Sequence, residues 1–98
     1  TEKKDAPCLY RALTKAQAMV NTGIKNTEEI VQEMGKIVSH CKSATIDYIS
    51  VVDPETLESV PKVRSGDVAL LAVRIGKTRL IDNIMLMLLM ALSWFRLC

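Results

Sequence analysis

The sequence predicts an α+β domain in which two helices pack on a small three-stranded, mainly antiparallel sheet, followed by an apolar C-terminal tail. Three observations support this fold class. Apolar residues recur at helical spacing from position 6 to position 41, β-branched and aromatic residues are concentrated at positions 46–52, and a glycine-led turn separates two later β-rich runs. At 98 residues, one domain with a modest core is expected.

The composition is that of a globular protein, with 49% hydrophobic and 24% charged residues. The net charge of +2 comes from 13 basic and 11 acidic residues spread along the chain without a long run of like charges. Nucleic-acid binding is therefore not expected. The first five residues are not followed by an apolar stretch of signal-peptide length, and a cytoplasmic location is predicted.

The first helix is predicted over residues 6–22. Four apolar residues at spacings of four, three and four share one stripe: Leu9, Leu13, Ala16 and Val20. Asp5 is a candidate N-cap with Pro7 in the first turn. Gly23 suits the left-handed conformation that often follows the last helical turn.

The second helix is predicted to begin at Asn26 or Thr27, where Glu28 and Glu29 suit the positive end of the helix dipole. Its apolar stripe consists of Ile30, Val31, Met34, Ile37, Val38 and Cys41. Gly35 weakens this helix without ending it. Because the connection to the first helix is short, the two are expected to lie antiparallel over a common core.

The first strand is predicted at residues 46–52, where β-branched and aromatic residues are concentrated, and it ends at the turn formed by residues 53–56. Both alternate faces of this strand are largely apolar. That pattern is expected for a strand that is covered on both sides, or for one whose second face meets another domain.

Two further strands are predicted at residues 68–75 and 78–84. Gly76-Lys77 joins them as a two-residue loop with glycine first, which a type II′ hairpin prefers. Residues 60–63 are expected to form an irregular or edge segment, because Pro61 cannot donate a hydrogen bond to a sheet.

The last part of the chain is apolar, and between Ile84 and Phe95 the sole polar residue is Ser93. About 20 apolar residues are needed to cross a bilayer, so no transmembrane segment is expected. We predict that residues 85–98 form a helix packed on the domain or on a partner, with self-association through this tail as one consequence. A disordered or aggregation-prone tail and attachment to a membrane interface are the alternatives.

Several short motifs suggest chemistry that the surrounding sequence does not support. Gly76-Lys77-Thr78 resembles the end of a phosphate-binding loop, but that motif needs glycine where Leu71 stands and a helix afterwards. His40 and Cys41 could supply two metal ligands, but no second pair at suitable spacing exists, so zinc is not expected. His40 is the one histidine in the sequence, which gives little support to nucleophilic catalysis.

Five carboxylates in strands and turns are candidates for acid–base chemistry: Asp47, Asp53, Glu55, Glu58 and Asp82. Carboxylates at such positions ordinarily face water or cap backbone amides, so a catalytic role is not expected. Arg74 and Arg79 flank the hairpin and could contact an anion such as a nucleotide phosphate, although a surface salt bridge is favoured.

Three cysteines, Cys8, Cys41 and Cys98, are too few and too irregularly spaced for a disulfide framework, and one of them would be left unpaired. A reducing compartment is therefore expected.

Two segments of the chain resemble one enzyme family. They are Ile46-Asp47-Tyr48 through Val52-Asp53-Pro54-Glu55-Thr56-Leu57, and Leu70-Leu71-Ala72-Val73-Arg74 through Thr78-Arg79-Leu80-Ile81-Asp82-Asn83. In this order they are rather specific, and residues 1–84 resemble the C-terminal domain of pantothenate synthetase (pantoate–β-alanine ligase). Residues 6–23 are similar to the first helix of that domain. The tail at 85–98 departs from the family.

The resemblance implies part of a ligase of the coenzyme A pathway, which condenses pantoate and β-alanine with ATP. The reaction passes through a pantoyl-adenylate and gives pantothenate, AMP and pyrophosphate. By resemblance the complete enzyme uses ATP and magnesium, and its catalytic motifs lie in an N-terminal nucleotidyltransferase-type domain, the expected partner. The domain resembled here acts as a hinged lid that excludes water from the adenylate.

The His-x-Gly-His and Ser-Ser-Arg-Asn-type motifs of the family are not in these 98 residues. No catalytic, cofactor-binding or metal-binding residue is therefore assigned, and the chain alone is expected to be inactive and to bind neither ATP nor magnesium. Two other functions stay open. One is a non-catalytic interaction or self-association module, and the other is a small domain that binds ATP or pantoate by itself.

Overall fold

The computed structural model describes residues 2–41 and 43–87, with side chains described from Pro7 onward. Two helices precede three strands: α1 Glu2–Asn21, α2 Thr27–Ser39, β1 Ala44–Val52, β2 Val68–Ile75 and β3 Thr78–Met85. The strands form one antiparallel sheet in the order β1-β2-β3. The predicted α+β class is therefore confirmed.

Helix α1 begins earlier than predicted, at Glu2, and Pro7 lies inside it. The predicted N-cap at Asp5 is wrong, because the helix has already started there. Proline removes one intrahelical hydrogen bond but fits the helical φ angle, and the residues before it have sufficient helix propensity to extend the helix upstream. The end of the helix is as predicted, since Gly23 adopts φ 97° and its amide donates to the Val20 carbonyl at 3.0 Å.

Helix α2 has the predicted cap. The Asn26 side chain accepts a hydrogen bond from the Glu29 amide at 3.0 Å, which satisfies one of the free donors of the first turn. The start of this helix is also tied to the segment before β2, because the Thr27 amide donates to the Pro61 carbonyl at 3.1 Å. Residues 60–63 thus form the predicted irregular segment, with an isolated bridge between Asn26 and Lys62.

The hairpin between β2 and β3 turns at Gly76, whose φ is 64°, whereas Lys77 has no positive φ. This is the φ pattern of the predicted type II′ turn. Strand β1 contains an irregularity that the sequence did not predict. Its register with β2 shifts between Ile46 and Tyr48, so Asp47 is the extra residue of a β-bulge.

The bulge changes which side chains of β1 share a face. Before it Ile46 pairs with Val73, and after it Tyr48 pairs with Ala72, so the alternation along the strand shifts by one residue. Ile49 and Val51 consequently join the core beneath the helices. Both faces of β1 remain largely apolar, as the sequence indicates, and the bulge changes only which residues belong to each.

The core lies between the helices and one face of the sheet. The central strand β2 contributes every second residue to it: Ala69, Leu71, Val73 and Ile75, each at most 1% exposed. Helix α2 packs against them through Ile30, Met34 and Val38, which are fully buried. Burial of each large aliphatic side chain contributes about 1.5–3 kcal/mol, which makes this helix-facing surface the main source of stability.

The chain remains attached to the domain after β3. Leu86 is fully buried and its amide donates to the Asp67 carbonyl at 2.7 Å. The Gln17 side chain binds the backbone oxygen and nitrogen of Met87 at 2.9 and 3.1 Å. Residues 88–98, on which most of the predicted helical tail falls, lie outside the described residues. Within the described part of the chain, no helix is long and apolar enough to span a membrane.

Candidate functional site

The face of the sheet opposite the helices, which we call the open face, is the most distinctive surface of the described structure. Strand pairing places the following side chains on it: Thr45, Tyr48, Ser50 and Val52 from β1; Val68, Leu70, Ala72 and Arg74 from β2; and Arg79, Ile81, Asn83 and Met85 from β3. No helix of the described chain covers this face, and apolar and charged side chains lie side by side along it.

The centre of the open face is apolar. Tyr48, Ala72 and Ile81 form one row across the three strands, and Tyr48 and Ile81 are 37% and 57% exposed. In the last row, Met85 lies opposite Val68 and is 55% exposed. Large apolar side chains such as these are usually buried. Their exposure here indicates that this face contacts another domain or molecule instead of solvent.

One end of the open face carries a charged group that we call the bulge cluster, formed by Asp47, Arg74 and Arg79. The bulge directs Asp47 towards both arginines: Arg79 Nε lies 2.8 Å from Oδ2, and Arg74 Nε lies 3.5 Å from Oδ1. Arg74 and Arg79 are directly opposite one another, an arrangement that is repulsive without a carboxylate between them.

The bulge cluster keeps its guanidinium groups accessible, with the side chains of Arg74 and Arg79 61% and 51% exposed. Such exposed ion pairs stabilise a fold by only about 0.2–1 kcal/mol each. The cluster therefore contributes little to stability, and its main effect is to fix the position of its charged groups. It fixes two cationic groups beside an apolar surface, and one positive charge is left without a counter-charge within the cluster.

A second polar group lies near the other end of the open face, and we call it the Asp53 turn. Asp53 Oδ1 accepts a hydrogen bond from the Glu55 amide at 2.7 Å, and Oδ2 accepts one from Arg64 Nη2 at 2.8 Å. The Glu55 amide in particular, together with Arg64, lowers the pKa of Asp53 below its ordinary value of 3.8. The hydrogen bond that Arg64 donates to Asp53 raises the pKa of Arg64.

The Asp53 turn is held to the sheet by Asp67, which is 3% exposed. Asp67 Oδ2 accepts a hydrogen bond from the Arg64 amide at 2.8 Å. An open groove of about 460 Å³ lies here, lined by Asp53, Pro54, Glu55, Arg64, Ser65, Gly66, Asp67 and Met85. Because Met85 also belongs to the open face, the groove and that face form one continuous surface.

The other candidates from the sequence are not brought together into a reactive group. Asp82 Oδ1 accepts from the Asn83 amide at 2.8 Å, while Glu55 and Glu58 are exposed. Gly76-Lys77 is a tight turn between strands and not a loop that precedes a helix. Among residues 2–41 and 43–87 there is no group of three or more His, Cys, Asp or Glu side chains that could hold a metal ion.

The cysteines behave differently from the sequence-based expectation. Cys8 and Cys41 form a disulfide although they are 33 positions apart in the sequence, and their Cα atoms are 6.6 Å apart, within the range for such a bond. The antiparallel arrangement of α1 and α2 brings the two positions together. Sequence spacing alone could not show this proximity, and the expectation of a reducing compartment does not account for the bond.

Comparison with known proteins connects this architecture to one group of enzymes. The family described as Pantoate-beta-alanine ligase matches residues 1–85. The pantothenate synthetase of Thermosipho africanus is 42% identical over 85 residues, which is 87% of this chain and 30% of that protein. The pantothenate synthetase of Herpetosiphon aurantiacus is 42% identical over 86 residues, 87% of this chain and 31% of that protein.

The fold agrees with the sequence similarity. The crystal structure of pantothenate synthetase from Thermus thermophilus superposes with a TM-score of 0.81 at 29% identity, and covers 88% of this chain and 31% of that one. The chain thus spans about 30% of the length of the curated relatives that it matches. The matched part contains both helices and the whole sheet.

Proposed function

The chain belongs to the pantoate–β-alanine ligase family, and from this premise we propose that it serves as the C-terminal lid of such a ligase. The proposed enzyme condenses pantoate and β-alanine with ATP to give pantothenate, AMP and pyrophosphate through a pantoyl-adenylate. The supporting observation is a match to residues 1–85 that spans about 30% of a full pantothenate synthetase. A segment of that size is a domain and leaves room for a second one.

The proposed role of this segment is to cover the reacting groups and exclude water. An acyl-adenylate is an activated intermediate that water hydrolyses, so a domain that closes over it protects the product-forming step. The open face supports this role. Its apolar side chains can exclude water and its fixed arginine cations can lie near an anionic intermediate, which suits a covering surface better than one that faces solvent.

We assign no catalytic residue to this chain. A general base needs a pKa near the working pH, whereas the pKa of Asp53 is held below 3.8. Asp47 accepts from one guanidinium at 2.8 Å and faces a second at 3.5 Å. Both carboxylates therefore serve the architecture, and chemical steps are assigned to the part of the longer relatives that this chain does not span.

ATP and magnesium are proposed as requirements of the complete enzyme, held outside this chain. Magnesium is usually held by carboxylates together with the phosphates of a substrate, so its ligands are proposed to lie with the ATP in the part of the longer relatives that this chain does not span. The tight turn at Gly76-Lys77 does not provide a loop that surrounds a phosphate. A location in the cytoplasm, where ATP is available, forms part of the proposal.

The proposal is tested by exchange of the matched segment in a relative. In the Herpetosiphon aurantiacus pantothenate synthetase, the 86 matched residues are replaced by this whole chain, and AMP release is measured with ATP, magnesium, pantoate and β-alanine. We expect the hybrid to keep more than a hundredth of the parent activity, since misplaced positioning elements cost on the order of 100-fold. The relative without the segment and the 98-residue chain alone serve as inactive controls.

A folded, monodisperse hybrid without activity contradicts the proposal. Activity of the chain alone would equally overturn it, because the chemistry would then lie within these residues. A non-catalytic interaction module is the second candidate, supported by the exposed apolar side chains of the open face. If that alternative holds, the chain should self-associate in size-exclusion chromatography and the hybrid should be inactive.

A further inference from the structure

We propose that the open face of the sheet is the surface on which the remainder of a pantothenate synthetase chain docks. This inference rests on the proposed function and adds to it the identity of the contacting surface. The alternatives on this molecule are the outer surfaces of the two helices. The structure distinguishes them, since α1 and α2 close one face of the sheet and no helix among residues 2–41 and 43–87 covers the other.

The open face is already prepared for contact. Val52 and Ala72 lie on it and yet are 5% and 0% exposed, so this part of the face is already closely packed. Exposed Tyr48, Ile81 and Met85 project from the same rows. Preorganised contact groups reduce the entropic cost of docking, because few side chains must be ordered when the partner arrives.

The size of the face favours a covalently joined domain over a second copy of this chain. Three strands about 4.8 Å apart, each of eight or nine residues that rise about 3.4 Å, give an area of about 400 Å². Two such faces bury about 800 Å² in total, below the roughly 1,200 Å² of a stable complex between separate proteins. Contacts between domains of one chain begin at about 600 Å², since the linker supplies a high effective concentration.

The charges specify the chemistry of the docked surface. The bulge cluster carries two guanidinium groups and one carboxylate, so the opposing surface is expected to bring a carboxylate or another anion to that end. Opposite Tyr48, Ala72 and Ile81 it should be apolar. A surface with this order of groups can dock in one orientation, because reversal places its anion over Val52, Val68 and Met85 at the other end of the face.

Thiol labelling tests the proposal without reliance on activity. Ile81→Cys is introduced into this chain and into the hybrid enzyme described above, in both cases with Cys98→Ser, and the rate of reaction with a maleimide is measured. The matched control is Tyr10→Cys, because Tyr10 is 68% exposed on α1, outside the open face. We expect labelling of Ile81→Cys to be at least tenfold slower in the hybrid than in the chain alone, and Tyr10→Cys to react equally in both.

Equal labelling of Ile81→Cys in the two proteins overturns the inference, as does protection of Tyr10→Cys in its place. Protection of Ile81→Cys in the chain alone that increases with protein concentration assigns the face to a second copy and also overturns it. An active hybrid with an unprotected Ile81→Cys keeps the proposed function and removes this inference. A hybrid that is inactive but in which Ile81→Cys is protected keeps this inference and removes the proposed function.

Discussion

The burial of Leu71 leads to a prediction about the helix-facing surface of the sheet. Leu71 lies in the middle of the central strand, opposite Ile49 and Asp82, and is fully buried. Leu71→Ala removes the equivalent of three methylene groups, worth about 2.4 kcal/mol of transfer free energy. The residual cavity adds to this, so we expect a loss of about 3–5 kcal/mol in the free energy of unfolding.

Such a loss is large for a chain of 98 residues, whose total stability is expected to be roughly 5–15 kcal/mol. At about 4–8 °C per kcal/mol, the melting temperature should fall by about 12–40 °C. The matched control is Leu57→Ala, because Leu57 is 72% exposed, and we expect a change within about 0.5 kcal/mol. Urea unfolding followed by far-ultraviolet circular dichroism measures both.

The reasoning is refuted if Leu71→Ala costs less than about 1 kcal/mol at an unchanged m-value, or if the two variants lose the same stability. The first result means that the cavity is filled by movement of the helices. The second means that the loop at Leu57 is as tightly packed as the sheet, which contradicts the exposures in the structure.

Three further predictions concern the loops and the helix pair. Reduction of the Cys8–Cys41 bond, which closes a loop of 33 residues, should cost about 3–4 kcal/mol by the chain-entropy relation, measured as a shift of the urea midpoint that is absent in Cys41→Ser. Because hydrogen bonds hold the pKa of Asp53 below 3.8, its stabilisation is present above that pH and is lost as the pH falls through the lowered pKa. The stability difference between the wild type and Asp53→Asn should therefore shrink on acidification from about pH 6 to about pH 3, and a constant difference contradicts this. Leu57 has φ 62°, so Leu57→Gly should raise the free energy of unfolding by up to about 1 kcal/mol in urea unfolding, and a decrease argues against backbone strain there.

Elements with local causes were predictable from the sequence. The stripe of α2, its cap at Asn26 and the hairpin at Gly76 each depend on residues within a few positions of one another. The start of α1 was not predicted, because the helix propensity of the preceding residues outweighed the boundary that Pro7 usually marks. A capping residue or a proline therefore marks the end of a helix only where the neighbouring residues do not themselves favour the helix.

Features that depend on contacts between distant segments were missed. The bulge at Asp47 is defined by the register of β1 against β2, and no residue type in β1 specifies it. The pairing of Cys8 with Cys41 depends in the same way on the packing of two helices. The sequence did identify Arg74 and Arg79 as a group that favours a salt bridge over a bound anion, and the structure confirms the salt bridges, with Asp47 as the partner.

The bulge connects the stability of this domain to its proposed role. Without a bulge, strict alternation of residues 46–52 would place Ile46 and Tyr48 on one face, and the core residues Ile49 and Val51 on the other. With it, Ile46 pairs with the core residue Val73, whereas Tyr48 pairs with Ala72 on the open face. The bulge thus accommodates Asp47 while the rest of the strand closes the core and furnishes an aromatic side chain to the opposite face. Because Ile46 and Tyr48 already pair with consecutive residues of β2, deletion of Asp47 should close the bulge and leave both faces with the same residues. Like Asp47→Asn, it should cost only the two exposed ion pairs, about 0.2–1 kcal/mol each in urea unfolding.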